Sequence, residues 1–163
     1  MGTLRRAEVR DADALVRLRA HMHEAMGDDP TAPGWAQACR AALVRRLAEP
    51  DRFAAFVVEV DGAVVAGGVG WLEEHLPSPH QLDGRRGHLA SMSTDPGHRR
   101  RGHGRAVLEA LLAWFEGLGV GRVDLRATPD GLALYESAGF RRLGGATMAR
   151  TAPHVRPGLG FSD

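Results

Sequence analysis

The chain contains no lysine, no isoleucine and no asparagine, and has a single cysteine and a single tyrosine. Without lysine there is no Schiff base to pyridoxal phosphate, no P-loop lysine and no serine–lysine pair. Without asparagine there is no cysteine–histidine–asparagine triad. Cys39 on its own allows no internal disulfide and no multi-cysteine zinc site, a usage that suits a reducing compartment. Aromatic residues make up only 6% of the chain, too few to interleave with basic residues as a nucleic-acid surface requires. An excess of either charge is also lacking: 21 basic against 20 acidic residues leave a formal +1, which gives no general pull towards nucleic acid or membrane. Because every cation other than histidine is arginine, a high arginine content is partly a trait of composition. No apolar run reaches the roughly 18 residues that cross a bilayer, and the start Met1-Gly2-Thr3-Leu4-Arg5-Arg6 lacks a signal-peptide core, so a cytoplasmic location is expected.

What is present fits one compact domain, 163 residues long with 44% in the hydrophobic set, placed at residues 1–152 with a Gly/Pro-flavoured tail at 153–163. A short strand is expected at residues 4–10. Asp11 or Asp13 then caps a helix carrying Leu15, Leu18 and Met22 at helical spacing. The stretch Gly27-Asp28-Asp29-Pro30-Thr31-Ala32-Pro33-Gly34 reads as a loop, and a second helix runs from Trp35 to about Ala48, stopped by Pro50. Strands at 53–60 and 63–72 meet at Asp61-Gly62, a strong hairpin signal. Gly67, Gly68 and Gly70 inside the second strand mark a bulge or a close approach by another group. After a long connector at 73–87 come a strand at 88–94, a turn at 95–97 and a helix at 104–118 with Val107, Leu108, Leu111, Leu112 and Phe115 on its apolar face. Residues 122–128 form another strand. Asp130 caps a short helix through Leu134 and Tyr135 that ends at Gly139, and a final strand is expected at 140–149. A hairpin followed by strands separated by helices indicates a mixed α/β sheet.

The chemistry concentrates at His98-Arg99-Arg100-Arg101-Gly102-His103-Gly104-Arg105, between a strand and a long helix. The first turn of a helix presents unpartnered N–H groups and about half a positive charge. Glycines let a ligand approach the main chain, and arginines add forks suited to phosphate, so a pyrophosphate fits. A P-loop is excluded by the missing lysine. A dinucleotide fingerprint would need a small residue where Val107 stands, although Asp124 lies at a suitable distance beyond the glycines.

These residues resemble the GNAT superfamily of acyl-CoA-dependent N-acetyltransferases, whose core motif is Arg or Gln, two residues, Gly, one residue, then Gly or Ala. Arg99, Gly102 and Gly104 match it, His88-Leu89-Ala90-Ser91-Met92-Ser93-Thr94-Asp95-Pro96 is similar to the strand before the loop, and Leu134-Tyr135-Glu136-Ser137-Ala138-Gly139-Phe140 to the later helix. The resemblance implies a single-domain, mostly antiparallel mixed sheet of about six or seven strands, splayed between the fourth and fifth and flanked by about four helices. It implies acetyl-CoA as donor, with Met92, Ser93 and Thr94 against pantetheine and Arg99, Arg100, Arg101, Gly102, His103, Gly104 and Arg105 around the pyrophosphate. The acceptor would be a primary amine of a small molecule or peptide, attacking directly.

In such a reaction Tyr135 stands where the family's tyrosine donates to the CoA sulfur, and a phenol stays protonated at working pH. His88 aligns with the strand position where some members place a catalytic Glu or His, and an imidazole titrates close to neutrality. Glu73, Glu74 and His75 compete for the role of base. His21, His23, Asp28, Asp29 and Trp35 fall where the family carries a lid, and an acidic lid could attract an ammonium group. Cys39 is read as a packing residue, and His98 with His103 lack a third ligand, so no metal is expected. A homodimer is possible through the final strand and the tail ending in Phe161. The alternatives are a non-catalytic acyl-CoA sensor and a nucleic-acid module using the arginines from Arg99 to Arg105.

Overall fold

The structure, a computed structural model, describes residues 1–153 of the 163. Five strands form one sheet in the order β1 (Thr3–Arg6), β2 (Phe53–Val60), β3 (Ala63–Glu74), β4 (Arg85–Thr94) and β5 (Val123–Leu125). All neighbours are antiparallel except β4 and β5, which are parallel. Asp61 and Gly62 take φ of 50° and 80° in the tight turn between β2 and β3, the left-handed pair that matches strand twist.

Helices cover both faces. On one, α3 (His103–Gly117) buries Val107, Leu108, Leu111 and Phe115 against Val58, Val65 and Leu89. On the other, α1 (Ala12–Ala25) buries Leu15 and Leu18 against Phe53, Ala55, Val57 and Val69. There α2 (Trp35–Leu47) contributes only the partly buried Leu43 and Leu47. Helix α4 (Leu132–Ser137) follows β5. The glycines of β3 explain how closely α3 sits. A Cβ at Gly70 would lie 2.8 Å from the Phe115 ring and one at Gly87 of β4 2.6 Å from it, so the ring rests on bare backbone of two strands.

Three boundaries differ from expectation. The sheet has five strands among the described residues rather than six or seven, because residues 140–149 form no strand. Leu143 and Met148 are exposed there, and the three-residue β5 offers too short an edge to template a partner. Phe161, invoked for a dimer, lies outside the described residues. The run at 122–128 keeps only Val123–Leu125 as strand. Conversely, β3 and β4 extend into the expected connector, where Glu73 faces Arg86 and Glu74 faces Arg85 across the ladder and opposite charges favour the pairing.

Asp11 heads α1 but makes no side-chain cap there. Its buried carboxylate instead accepts both Arg5 guanidinium nitrogens at 2.8 and 2.9 Å and the Glu8 N–H at 2.8 Å, joining β1 to the helix entry. The Arg5 hydrogen bonds hold the Asp11 carboxyl below the ordinary aspartate range. A folded-state pKa depressed in this way stabilises the fold above the unfolded pKa of about 4 and loses that contribution as pH falls. Asp11→Asn is expected to cost about 2 kcal/mol at neutral pH, roughly 4–8 °C in Tm for a chain of this size. Thermal melts from pH 7 downwards should show the gap to wild type narrowing below about pH 4; a constant gap would contradict the assignment.

Candidate active site

Strands β4 and β5 pair only from Gly87↔Val123 to Leu89↔Leu125. Beyond that the two separate, and β4 continues against β3 alone, paired at Ala90, Ser93 and Thr94. Main-chain groups of this segment that point away from β3 therefore have no strand to bond, although they sit in the middle of the sheet. A bulge sharpens the separation. Gly68 of β3 faces both Ser91 and Met92, and Ser91 takes φ of 55°. A Cβ at Gly68 would meet the Met92 sulfur, so the bare glycine lets the Met92 side chain lie against the strand here. The Arg19 guanidinium of α1 donates to Ser91 Oγ at this point.

The N-terminus of α3 lies at the end of the same segment. Gly102, at φ of 83°, precedes the helix without a side-chain cap, and the Ala106 N–H closes the first turn on the Gly102 carbonyl at 3.0 Å. The amides before Ala106 are thus left for a ligand. Arg100 also holds a left-handed φ of 63° in this turn. Arg99 Nε donates to the Thr94 carbonyl at 3.2 Å, and Arg105 donates to Ser137 Oγ at 2.7 Å, which ties α3 to α4. Among the described residues Arg100 and Arg101 have no carboxylate partner. Burial, followed by nearby His98 and Arg101, holds the His103 imidazole below its ordinary pKa. A Cβ on Gly104 would lie 3.7 Å from Leu134 and 3.8 Å from the Thr94 hydroxyl, so the end of β4, the first turn of α3 and α4 converge on this glycine.

Tyr135 is buried on α4, and its place is set by the way that helix ends. The Phe140 N–H bonds the Tyr135 carbonyl at 3.1 Å, the Gly139 N–H bonds the Glu136 carbonyl at 3.1 Å, and Gly139 takes φ of 92°. This is a Schellman ending, with its apolar contact made by the Tyr135 and Phe140 rings at 5.9 Å. Asp130, expected to cap the helix, lies instead in the preceding 3-10 turn, and Gly131 takes the cap position. No protein group among the described residues bonds the Tyr135 hydroxyl, and burial raises its pKa.

On the α1 and α2 face of the sheet, His88 lies against Trp71, ring centroids 4.6 Å apart. Its Nδ1 is 3.8 Å from the Glu73 carboxylate, an electrostatic neighbour beyond hydrogen-bond range. Glu73 accepts from the Trp71 indole at 3.2 Å and is bonded to His75 Nε2 at 3.0 Å. The His75 contact, followed by that of Trp71, lowers its pKa below the usual glutamate range. Extension of the ladder thus gathers His88, Glu73 and His75, whereas Glu74 is exposed and paired with Arg52 at 3.2 Å.

A cavity of about 400 Å³ opens on this face between α1, α2 and the sheet, with Arg19, Trp35, Cys39, Arg46, Trp71 and Ser91 among its lining residues. Of the acidic lid residues, Asp28 is bonded to His23 at 2.8 Å, and Asp29 accepts from the neutral Thr31 hydroxyl and N–H. His21 sits 3.2 Å from Asp95. Burial raises the Cys39 thiol pKa, in keeping with a packing role. Arg19, Arg46 and Trp71 were not singled out from the sequence. A signal existed for Arg19, which follows Leu15 by four positions on the inward face of α1. Among the described residues no three His, Cys, Asp or Glu side chains cluster as metal ligands, and no helix is long and apolar enough to cross a membrane.

A parted pair of strands beside an uncapped, arginine-flanked helix start defines a class of acyl-group transferases, and the Acetyltransferase (GNAT) family model matches residues 16–140. The chain belongs to this family and is an acyltransferase that takes acetyl-CoA as its acetyl donor. It is 32% identical to the N-alpha-acetyltransferase RimI of Mycobacterium tuberculosis, covering 88% of this chain and 79% of that one. A GCN5-related N-acetyltransferase from Ralstonia eutropha shares the fold with a TM-score of 0.82 at 28% identity, covering 92% and 99% of the two chains. A predicted acetyltransferase from Clostridium acetobutylicum, solved with acetyl-CoA, superposes with a TM-score of 0.83 at 20% identity, covering 92% and 96%.

Because Tyr135 is the sole tyrosine, its ionisation can be read without ambiguity from ultraviolet absorbance in an alkaline titration. The expected midpoint lies above the value of about 10 for free tyrosine and returns to it in denaturant. A native midpoint at or below the free value would contradict the buried placement.

Proposed function

We propose that the enzyme transfers the acetyl group directly from acetyl-CoA to a primary amine of a small molecule or peptide while both are bound. The nitrogen lone pair attacks the thioester carbonyl, the C–S bond breaks, the amine loses one proton and the departing thiolate gains one. The observation that carries this reading is the meeting, at Gly104, of two sets of main-chain groups that neither strand nor helix satisfies: the β4 edge at 90–94 and the first turn of α3. A thioester arm can extend a sheet along the first set through Met92, Ser93 and Thr94. A diphosphate suits the second, with the main chain from Arg99 through Arg100, Arg101, Gly102, His103 and Gly104 to Arg105 around it and the unpaired guanidiniums adding charge.

Tyr135 is assigned as proton donor to the thiolate. Its hydroxyl has no competing protein acceptor among the described residues, and burial keeps it protonated well beyond neutral pH. His88 is assigned as the base that accepts the amine proton, with the Glu73 carboxylate 3.8 Å from its Nδ1. The name of the Mycobacterium tuberculosis relative supports an α-amine as acceptor.

The test is thiol release from acetyl-CoA across a panel of amines, with two variants. Tyr135→Phe should lower kcat by about 100-fold, with coenzyme A affinity and Tm retained. His88→Gln should lower kcat/KM by a similar factor at neutral pH, with the deficit shrinking as rising pH supplies neutral amine from solvent. Acetyl-CoA binding without thiol release on any amine would overturn transfer in favour of a non-catalytic sensor.

A further inference from the structure

We infer that the acceptor amine carries a carboxylate or phosphate, received by Arg19 and Arg46 in the cavity between α1, α2 and the sheet; the inference rests on the transfer reading above. Of the other three arginines on these two helices, Arg17 and Arg40 have carboxylate partners, Asp95 at 2.6 Å and Asp13 at 2.7 Å, and the exposed Arg45 points away from the cavity without one among the described residues. The two arginines that line the cavity have none among the described residues. Arg19 is half-buried and donates to the neutral hydroxyl of Ser91, at the bulge where β4 leaves β5. Arg46 lies over the rings of Trp71 and Phe53 at 5.3 and 5.8 Å, contacts that orient a guanidinium without neutralising it.

Among the described residues, the lining of the cavity offers these guanidiniums no free acid. Leu15, Leu43, Phe53 and Val69 form an apolar wall. Cys39, the nearest ionisable thiol, is kept protonated by burial. Asp28 is engaged by His23, and Glu73 is held by His75 and Trp71. Beside that wall the half-buried Arg19 guanidinium gains most from a charged acceptor with fork geometry, which carboxylate and phosphate both present, and the exposed Arg46 adds a second cation at the rim. Trp71 also separates two ends of opposite chemistry. Its indole nitrogen donates to Glu73, beside His88, while its ring carries Arg46. An amine directed to the Glu73 and His88 end and an anion directed to the arginines describe one zwitterionic acceptor. The volume of about 400 Å³ suits a molecule or chain end of roughly one to two residues.

Trp35 and Trp71 line the cavity, so their emission reports its occupancy without turnover. With coenzyme A present, the full chain is titrated with N-acetylleucine against N-acetylleucinamide, and with N-acetyl-phosphoethanolamine against N-acetylethanolamine. At least one anionic member should bind about tenfold or more tightly than its neutral match. Arg19→Gln should reduce the preference to within about threefold while leaving coenzyme A affinity intact. Arg46→Gln, on the exposed rim, gives a second reading if the first variant does not fold. Equal binding within both pairs, or an undiminished preference in the variants, would overturn the inference. Failure of acetyl-CoA to release thiol on any amine would instead overturn the transfer reading, so the two failures are distinguishable.

Discussion

The parting of two parallel strands after a three-residue contact is the constraint on which the site depends. A parallel pair inside a sheet normally continues and satisfies both edges. Here β5 turns away after Leu125, and β4 runs on to Thr94 with one edge unpaired. The bulge at Ser91 and Met92 adds local twist and turns the Ser91 side chain towards α1 and α2 while Met92 packs on the α3 side. The same strand thereby presents an unpaired main-chain edge on one side and a side chain to the cavity on the other.

Such an opening is sustainable only if the rest of the sheet is tightly bound. Phe115 of α3, seated on the bare backbone of Gly70 and Gly87, fixes the helix whose first turn must face the end of β4. On the other face, Leu15 and Leu18 of α1 lie within van der Waals reach of Gly67. The Arg5, Asp11 and Glu59 cluster joins β1, β2 and the start of α1 with charge-assisted hydrogen bonds. Helix α4 has only six residues and little core of its own, so its position depends on the Gly139 ending and the Arg105 to Ser137 tie. Both position Tyr135.

Most of this was legible in the sequence, and for physical reasons. Asp61-Gly62 imposes a hairpin because only such a pair tolerates two left-handed residues, and Gly139 marks a helix end for the same reason. The apolar face of α3 has the helical period, and the glycines at 102 and 104 locate its exposed start. What stayed hidden was tertiary. Nothing local distinguishes the run at 140–149 from a strand, since its pairing depends on a partner too short to receive it. The extension of β3 and β4 through Glu73 and Glu74 depends on cross-strand charges that become visible only once the register is known. In a chain where every non-histidine cation is arginine, composition does not single out Arg19 or Arg46, and only the fold shows which guanidiniums lack an acid beside them.

The central claim is that main-chain amides left without protein partners, on β4 near Thr94 and in the first turn of α3, hold the cofactor. Residue-resolved amide hydrogen exchange with and without saturating coenzyme A tests it directly. Slowed exchange concentrated at residues 92–94 and 102–105 is the predicted result. Protection confined to other parts of the chain, with those amides exchanging as freely as before, would contradict the account.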